Sequence, residues 1–244
     1  GKTYTDWFGF DTLAVLTEDP EVVAYFNGPN GVVRYWLDAG IDGWRLDVMN
    51  EISHPFLRGL RKAALAQNPD ALVLGEEWGD ASAWLQGGEA DGVMNYRFRR
   101  AVIGLINGDT ADPDGSIAGM TPSQFAAAME GVREDYPAPA WNALLNLVDS
   151  HDTARILWTL TPGDDNRAAK EGDAALAAGK AKLRQLAALQ LTWPGMASIY
   201  YGTEVGLTCH DDPDDRRPYP WGAEDEELRA HYALLAGLRR DHDA

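Results

Sequence analysis

Cysteine is almost absent from this sequence. Cys209 stands alone among 244 residues, which excludes an internal disulfide and argues against a small secreted fold held together by staples. That usage favours a cytoplasmic compartment. Long apolar runs are missing as well, since no stretch reaches the ~18 residues that a membrane-spanning helix needs. Positive charge is scarce: 21 Lys and Arg face 38 Asp and Glu, leaving a net charge of −17. So acidic a chain is a poor partner for nucleic acid or an anionic membrane surface and suits a neutral ligand. The five histidines show no zinc spacing such as His-Glu-x-x-His. No glycine-rich loop precedes a helix, so a nucleotide enzyme is unsupported.

What remains is an ordinary globular composition, 45% hydrophobic and 24% charged, long enough to bury a sizeable core. Apolar runs and helical patterns alternate along it. Strands are expected at 41–48, 71–76, 91–96, 143–148 and 197–201. Helices are expected at 20–38 (interrupted at 27–31), 55–66, 81–86, 97–106, from 121, near 154, at 168–191 and at 224–240. Asn107 to Gly119 reads as a surface loop rich in Gly, Asp and Pro. Strands alternating with helices indicate a parallel sheet, and no linker divides the chain into two domains.

Three strand ends carry chemistry. In Gly40-Ile41-Asp42-Gly43-Trp44-Arg45-Leu46-Asp47-Val48, Arg45 and Asp47 are two residues apart and point to one face of a strand. A guanidinium beside a carboxylate favours its charged form, which makes Asp47 a candidate nucleophile; a structural ion pair is the plainer alternative. In Ala71-Leu72-Val73-Leu74-Gly75-Glu76-Glu77-Trp78, Glu76 is expected to point inward and Glu77 outward. An inward Glu against apolar walls tends to keep its proton. In Leu147-Val148-Asp149-Ser150-His151-Asp152-Thr153-Ala154-Arg155, a strand runs into a titratable cluster. Asp152 or Thr153 as a helix cap would explain part of it, but a cap alone requires neither His151 nor Asp149.

An ionised Asp, a protonated Glu and a His-Asp pair, each at the carboxyl end of a strand, suit an α/β-barrel active site. Retaining glycoside hydrolysis uses two carboxyls of unequal pKa about 5 Å apart. Nine tryptophans offer indole faces on which pyranose rings stack, although most are expected in the core. His210-Asp211-Asp212-Pro213-Asp214-Asp215 has oxygens for calcium but lacks EF-hand spacing; a sugar-binding loop is the better reading.

These segments resemble the α-amylase family of glycoside hydrolases (family 13). Gly40 to Val48 looks like its second signature region, Leu74 to Trp78 its third and Leu147 to Arg155 its fourth. Val-Met-Asn-Glu (48–51) is close to the Val-Ala-Asn-Glu of the neopullulanase, cyclomaltodextrinase and maltogenic amylase subfamily. Phe10 to Thr17 sits where that subfamily has Met-Pro-Lys-Leu-Asn, without the proline and lysine. Pro194 to Glu204 resembles the eighth barrel strand, and Asp212 to Pro218 the loop after it.

The resemblance implies a (β/α)8 TIM barrel, of which the chain covers about strands 4 to 8. It implies Asp47 as nucleophile, Glu76 as acid/base and Asp152 as the third acid, gripping sugar hydroxyls. Arg45 would hold Asp47 ionised, and His151 would bond sugar hydroxyls. Asp212 and Arg216 look like donor-side contacts, and Glu51 and Trp78 like acceptor-side contacts. No cofactor is expected, with calcium left to the part of the barrel outside this sequence, and the parent protein is allowed to be a homodimer. The family's first signature, Asp-x-x-x-Asn-His, is not found among these residues, and the sequence opens at Gly1-Lys2-Thr3-Tyr4. The chain is therefore read as a fragment that is inactive alone. The expected substrates are α-1,4-linked maltooligosaccharides, cyclodextrins or pullulan. An α-glucosidase or an α-glucan transglycosylase is the alternative within the class, and an inactive fragment that only binds glucan the alternative outside it.

Overall fold

The computed structural model describes residues 6–7, 10–13, 18–108 and 117–242. Part of the expected 107–119 loop, residues 109–116, and residues 14–17 of the segment from Phe10 lie outside them. Contacts gather the chain into two compact units. One is Gly1–Glu77 with Ala81–Val93, and the other is Trp78–Asp80 with Met94–Ala244.

In the first unit, β1 (Asp6–Trp7) pairs antiparallel with β2 (Phe10–Leu13). Two helices follow, α1 (Pro20–Asn27) and α2 (Val32–Asp38), broken where Gly28-Pro29-Asn30-Gly31 punctuates the pattern. Asp19 caps α1 by accepting from the backbone of Glu21 at 2.8 Å, satisfying a donor that the first turn leaves orphaned. The helix α3 (His54–Gln67) buries Phe56, Leu57, Leu60, Ala63 and Ala64. That spacing lays one apolar stripe along the helix, the face a core-packed helix needs. Both α1 and α2 pack on α3. Three parallel strands, β3 (Gly43–Leu46), β4 (Leu72–Gly75) and β5 (Gly92–Val93), lie in that order, with Arg45 opposite Leu74 and Leu46 opposite Gly75. The expected helix at 81–86 is instead a run of turns. A backbone bond from the Trp84 N–H to the Ala81 C=O closes a three-residue turn, and Gly87 at φ 89° ends the run.

The second unit is mostly helical. Asn95 accepts from the Phe98 backbone at 3.0 Å and caps α4 (Tyr96–Asn107), which ends the expected 91–96 strand early. Thr121 and Gln124 form a capping box at the start of α5 (Pro122–Asp135), and the short α6 (Ala138–Asn142) follows. The parallel pair β6 (Leu145–Asn146) and β7 (Met196–Ala197) is shorter than the expected 143–148 and 197–201. After Ser198 the chain folds into a 3-10 turn at Thr203–Val205. The α7 helix (Ile156–Leu160) is wholly buried. The single helix expected at 168–191 is two, α8 (Arg167–Lys170) and α9 (Asp173–Thr192), because Gly172 leaves helical geometry between them. The last helix is α10 (Glu226–Asp241), and α9 packs against α4, α7 and α10. No described helix is long and apolar enough to cross a membrane.

Candidate active site

In the first unit, Arg45 leaves β3 with its guanidinium between two carboxylates. Its Nη1 donates to Asp47 Oδ1, and its Nη2 lies 3.0 Å from Glu76 Oε2. The Val48 N–H donates to the same Oε2 at 2.9 Å. Asp47 is 67% exposed at the side chain and Glu76 only 7%, so one acid reaches solvent while the other is walled in. Glu76 is buried as the strand alternation predicts, yet Oε2 meets a guanidinium and an amide rather than the apolar walls expected from Leu72 and Leu74. Those partners come from the adjoining strand end and cannot be seen in the local sequence.

The backbone is built to hold this geometry. Glu76 N–H donates to Leu46 C=O at 2.9 Å, and Met49 N–H donates to Glu76 C=O at 3.0 Å, extending the strand ladder past the ends of β3 and β4. A side chain on Gly75 would begin 2.3 Å from Met49 Sδ, so only glycine lets the buried Met49 settle there. Val48 sits at φ 45°, ψ 53°. For a β-branched residue this left-handed conformation is strained, and such strain persists where the surroundings impose it. Here it turns the Val48 N–H onto Glu76. Glu51 is exposed at the end of the following 3-10 turn, Met49–Glu51.

The second unit gathers four more of the predicted residues. His151 Nε2 is 3.1 Å from Asp152 Oδ2, and Arg216 Nη2 is 3.5 Å from Asp152 Oδ1. The same arginine donates through Nε to Asp212 Oδ1 at 2.8 Å. Neither Asp152 nor Thr153 caps a helix. Asp149 fills that role, its Oδ2 accepting from the Ile156 N–H at 3.0 Å and from the Thr203 hydroxyl at 2.7 Å. Within the turn, Ser150 N–H donates to Thr153 Oγ1 at 3.1 Å and Asp152 N–H to Ser150 Oγ at 3.2 Å. Burial pushes the Asp149 carboxyl above the usual range, against its two hydrogen bonds and the charges of Arg155 and Arg99. Trp78 is 43% exposed and lies flat on the buried Tyr96 ring, centroids 4.0 Å apart and planes 12° apart. The Tyr96 hydroxyl is 3.3 Å from Ser150 Oγ. An indole held parallel to a fixed phenol presents its outer face to solvent, a platform on which a sugar ring can stack.

Sequence reasoning did not single out Val48, Ser150 or Arg155. The left-handed turn at Val48 has no local signal, because a β-branched residue argues against it. Ser150 and Arg155 lie inside the quoted signature, but their partners are distant in sequence. Among the described residues, no group of three or more His, Cys, Asp or Glu side chains is arranged to hold a metal ion.

Comparison with known proteins agrees in sequence and in structure. The chain is 36% identical over 257 residues to an amylopullulanase of Thermoanaerobacterium saccharolyticum, covering 98% of this chain and 20% of that protein. It is 37% identical over 258 residues to neopullulanase 2 of Thermoactinomyces vulgaris, covering 97% and 39%. A solved structure described as a cyclomaltodextrinase superposes with a TM-score of 0.79 at 36% identity, over 98% of this chain and 37% of that one. The chain thus spans well under half the length of these relatives. The family described as alpha amylase, catalytic domain, matches residues 4–242. The chain belongs to the alpha-amylase catalytic-domain family.

Proposed function

We propose that this chain carries the catalytic acids of a retaining glycoside hydrolase acting on α-1,4-glucans: maltooligosaccharides, cyclodextrins or pullulan. In this reading β3 to β7 are the fourth to eighth strands of a (β/α)8 barrel. The observation that carries it is Arg45, one guanidinium in contact with both Asp47 and Glu76. Two carboxylates that share one guanidinium face a common space, as a nucleophile and an acid/base must. The names of the relatives, amylopullulanase, neopullulanase and cyclomaltodextrinase, support a starch-like substrate.

The residues divide the work as follows. The Asp47 carboxylate attacks the anomeric carbon as the bond to the leaving oxygen breaks, and Glu76 gives that oxygen its proton. A glycosyl ester on Asp47 results. Glu76, now ionised, takes a proton from an incoming water, whose oxygen attacks the anomeric carbon and releases Asp47. Arg45 pairs with Asp47 and fixes both carboxyls. Glu76 Oε2 accepts from the Val48 N–H and is ion-paired with Arg45, which fixes the orientation of the carboxyl. His151 and Asp152 bind sugar hydroxyls, Asp212 and Arg216 hold the donor side, and Trp78 and Glu51 meet the acceptor side.

The test uses the full-length protein that contains these residues, assayed on cyclodextrin, pullulan and starch with Asp47→Asn as control. Faster turnover of cyclodextrin or pullulan than of starch, abolished in the variant, is expected. Activity confined to short maltosides would move the assignment to an α-glucosidase. A folded protein inactive on every glucan would contradict it and leave glucan binding alone.

A further inference from the structure

Arg155 stands three residues past Asp152 and is wholly buried, with no accessible surface. A buried guanidinium needs partners, because leaving its charge unmet in a dry interior is costly. Two of its nitrogens donate to main chain, Nη2 has no hydrogen-bond partner among the described residues, and its charge is felt by the nearby Asp149 and Asp215 carboxyls. Nε donates to the Asp215 C=O at 2.8 Å and Nη1 to the Tyr201 C=O. Its Cζ lies 3.9 Å from the Tyr200 ring centroid and 4.4 Å from that of Tyr201, within cation–π range. Its own backbone N–H donates to the Cys209 C=O at 3.2 Å.

These contacts join three stretches of chain. The first is the turn that bears His151 and Asp152. The second is the segment after β7, at Tyr200 and Tyr201. The third is the loop from Cys209 to Arg217, which bears Asp212 and Arg216. Asp215, whose carbonyl Arg155 holds, precedes Arg216 directly, and Arg216 reaches back to Asp152 at 3.5 Å and to Asp212 at 2.8 Å. A second tie fastens the same loop from outside. Asp214 pairs with Arg217 through 2.9 and 3.0 Å bonds and with Arg167 of α8 at 2.8 Å.

We infer that Arg155 is a positioning residue for the substrate grip: it sets the Arg216 loop against the Asp152 turn, so that Asp152, Asp212 and Arg216 meet a sugar as one preformed set. It touches no substrate itself. The inference rests on the glucan reading for its consequence, but its geometric core does not. A buried arginine that only stabilises the fold would show the same burial, so the distinction lies in coupling to Arg216.

The variant of choice is Arg155→Lys, which keeps the charge and removes the planar fork and its stacking. In the full-length protein, kcat/KM on maltoheptaose should fall about ten- to a hundredfold, mainly through KM, the scale of loss that follows a displacement of about 1 Å at a site. Arg216→Ala should fall comparably, and the double variant no further than the worse single one, because both remove one grip. Amide hydrogen exchange should rise at 209–217 in Arg155→Lys and stay unchanged in α9 and α10. Losses that multiply, or exchange at 209–217 that does not change, would overturn the inference. Should Arg155→Lys fail to fold, Tyr200→Leu removes one ring from the guanidinium and should show the same coupling in milder form; additive losses there would equally overturn it. If the parent protein turns over no glucan, the exchange measurement still decides the positioning while the functional reading falls.

Discussion

Asp47 and Glu76 in one compact unit are held by a side chain, since Arg45 contacts both carboxylates and a strained Val48 adds one amide. Asp152 in the other unit sits in a turn held by main chain and by buried groups. Asp149 ties the turn to Ile156 and Thr203, and Arg155 ties it to two carbonyls. The first arrangement sets charge where bonds would break and leaves Asp47 open to solvent. The second sets the shape of the turn, and in the proposed function its charged groups bind the sugar. A variant in the first region should therefore strike chemistry with little effect on folding, and one in the second should strike stability or affinity.

The largest separation of these effects is expected from Arg45→Lys. An ammonium cannot bridge two carboxylates as a planar fork does, and kcat should fall roughly 10²–10³-fold, the scale of losing one oriented electrostatic group. Thermal unfolding should move little. A large drop in Tm with kcat preserved would erase the contrast.

A smaller effect is expected at Asp149. Its carboxyl is raised by burial, so the folded chain holds that proton more tightly than the unfolded chain, whose value is near 3.9. The contribution of this group is fully present below the unfolded value and is lost as pH rises through the raised folded one. Asp149→Asn removes the titration. Its stability relative to the unsubstituted protein should improve between pH 4 and pH 7, read as the difference in Tm at the two values. A difference that stays constant with pH would show that Asp149 is ionised at no cost.

The smallest effect concerns Cys209, fully buried in the second unit with its thiol pushed up to about 11 by burial. The thiolate is the reactive form, so alkylation at neutral pH should be negligible in the native protein and rapid in denaturant. Fast labelling of the native protein would show that the region around Arg155 is open rather than dry.

How far the sequence carried the account depends on how local each cause is. The Arg45–Asp47 pairing follows from the two-residue period of a strand, and the break between α1 and α2 from Gly28-Pro29-Asn30-Gly31, both written within a few residues. The inward Glu76 follows from the same alternation, but its walls do not, because Arg45 and Val48 arrive from another strand end. The helix expected at 81–86 is a run of turns that ends at Gly87 in the left-handed region, a choice that composition alone does not reveal. The cap expected from Asp152 or Thr153 fell to Asp149, which the spacing of the turn brings back onto Ile156. Arg155 was invisible as a clamp, since each of its carbonyl partners lies more than 40 residues away. Local periodicity is legible in one sequence, and tertiary partners are not.

In the proposed reaction a sugar becomes bonded to Asp47. The direct measurement combines Glu76→Gln, which slows release of the intermediate, with an activated α-maltosyl fluoride and mass spectrometry of the digested full-length protein. A maltosyl mass on the peptide bearing Asp47, absent in the Asp47→Asn, Glu76→Gln double variant, is the predicted result. No adduct, with a product of inverted anomeric configuration, would contradict the account.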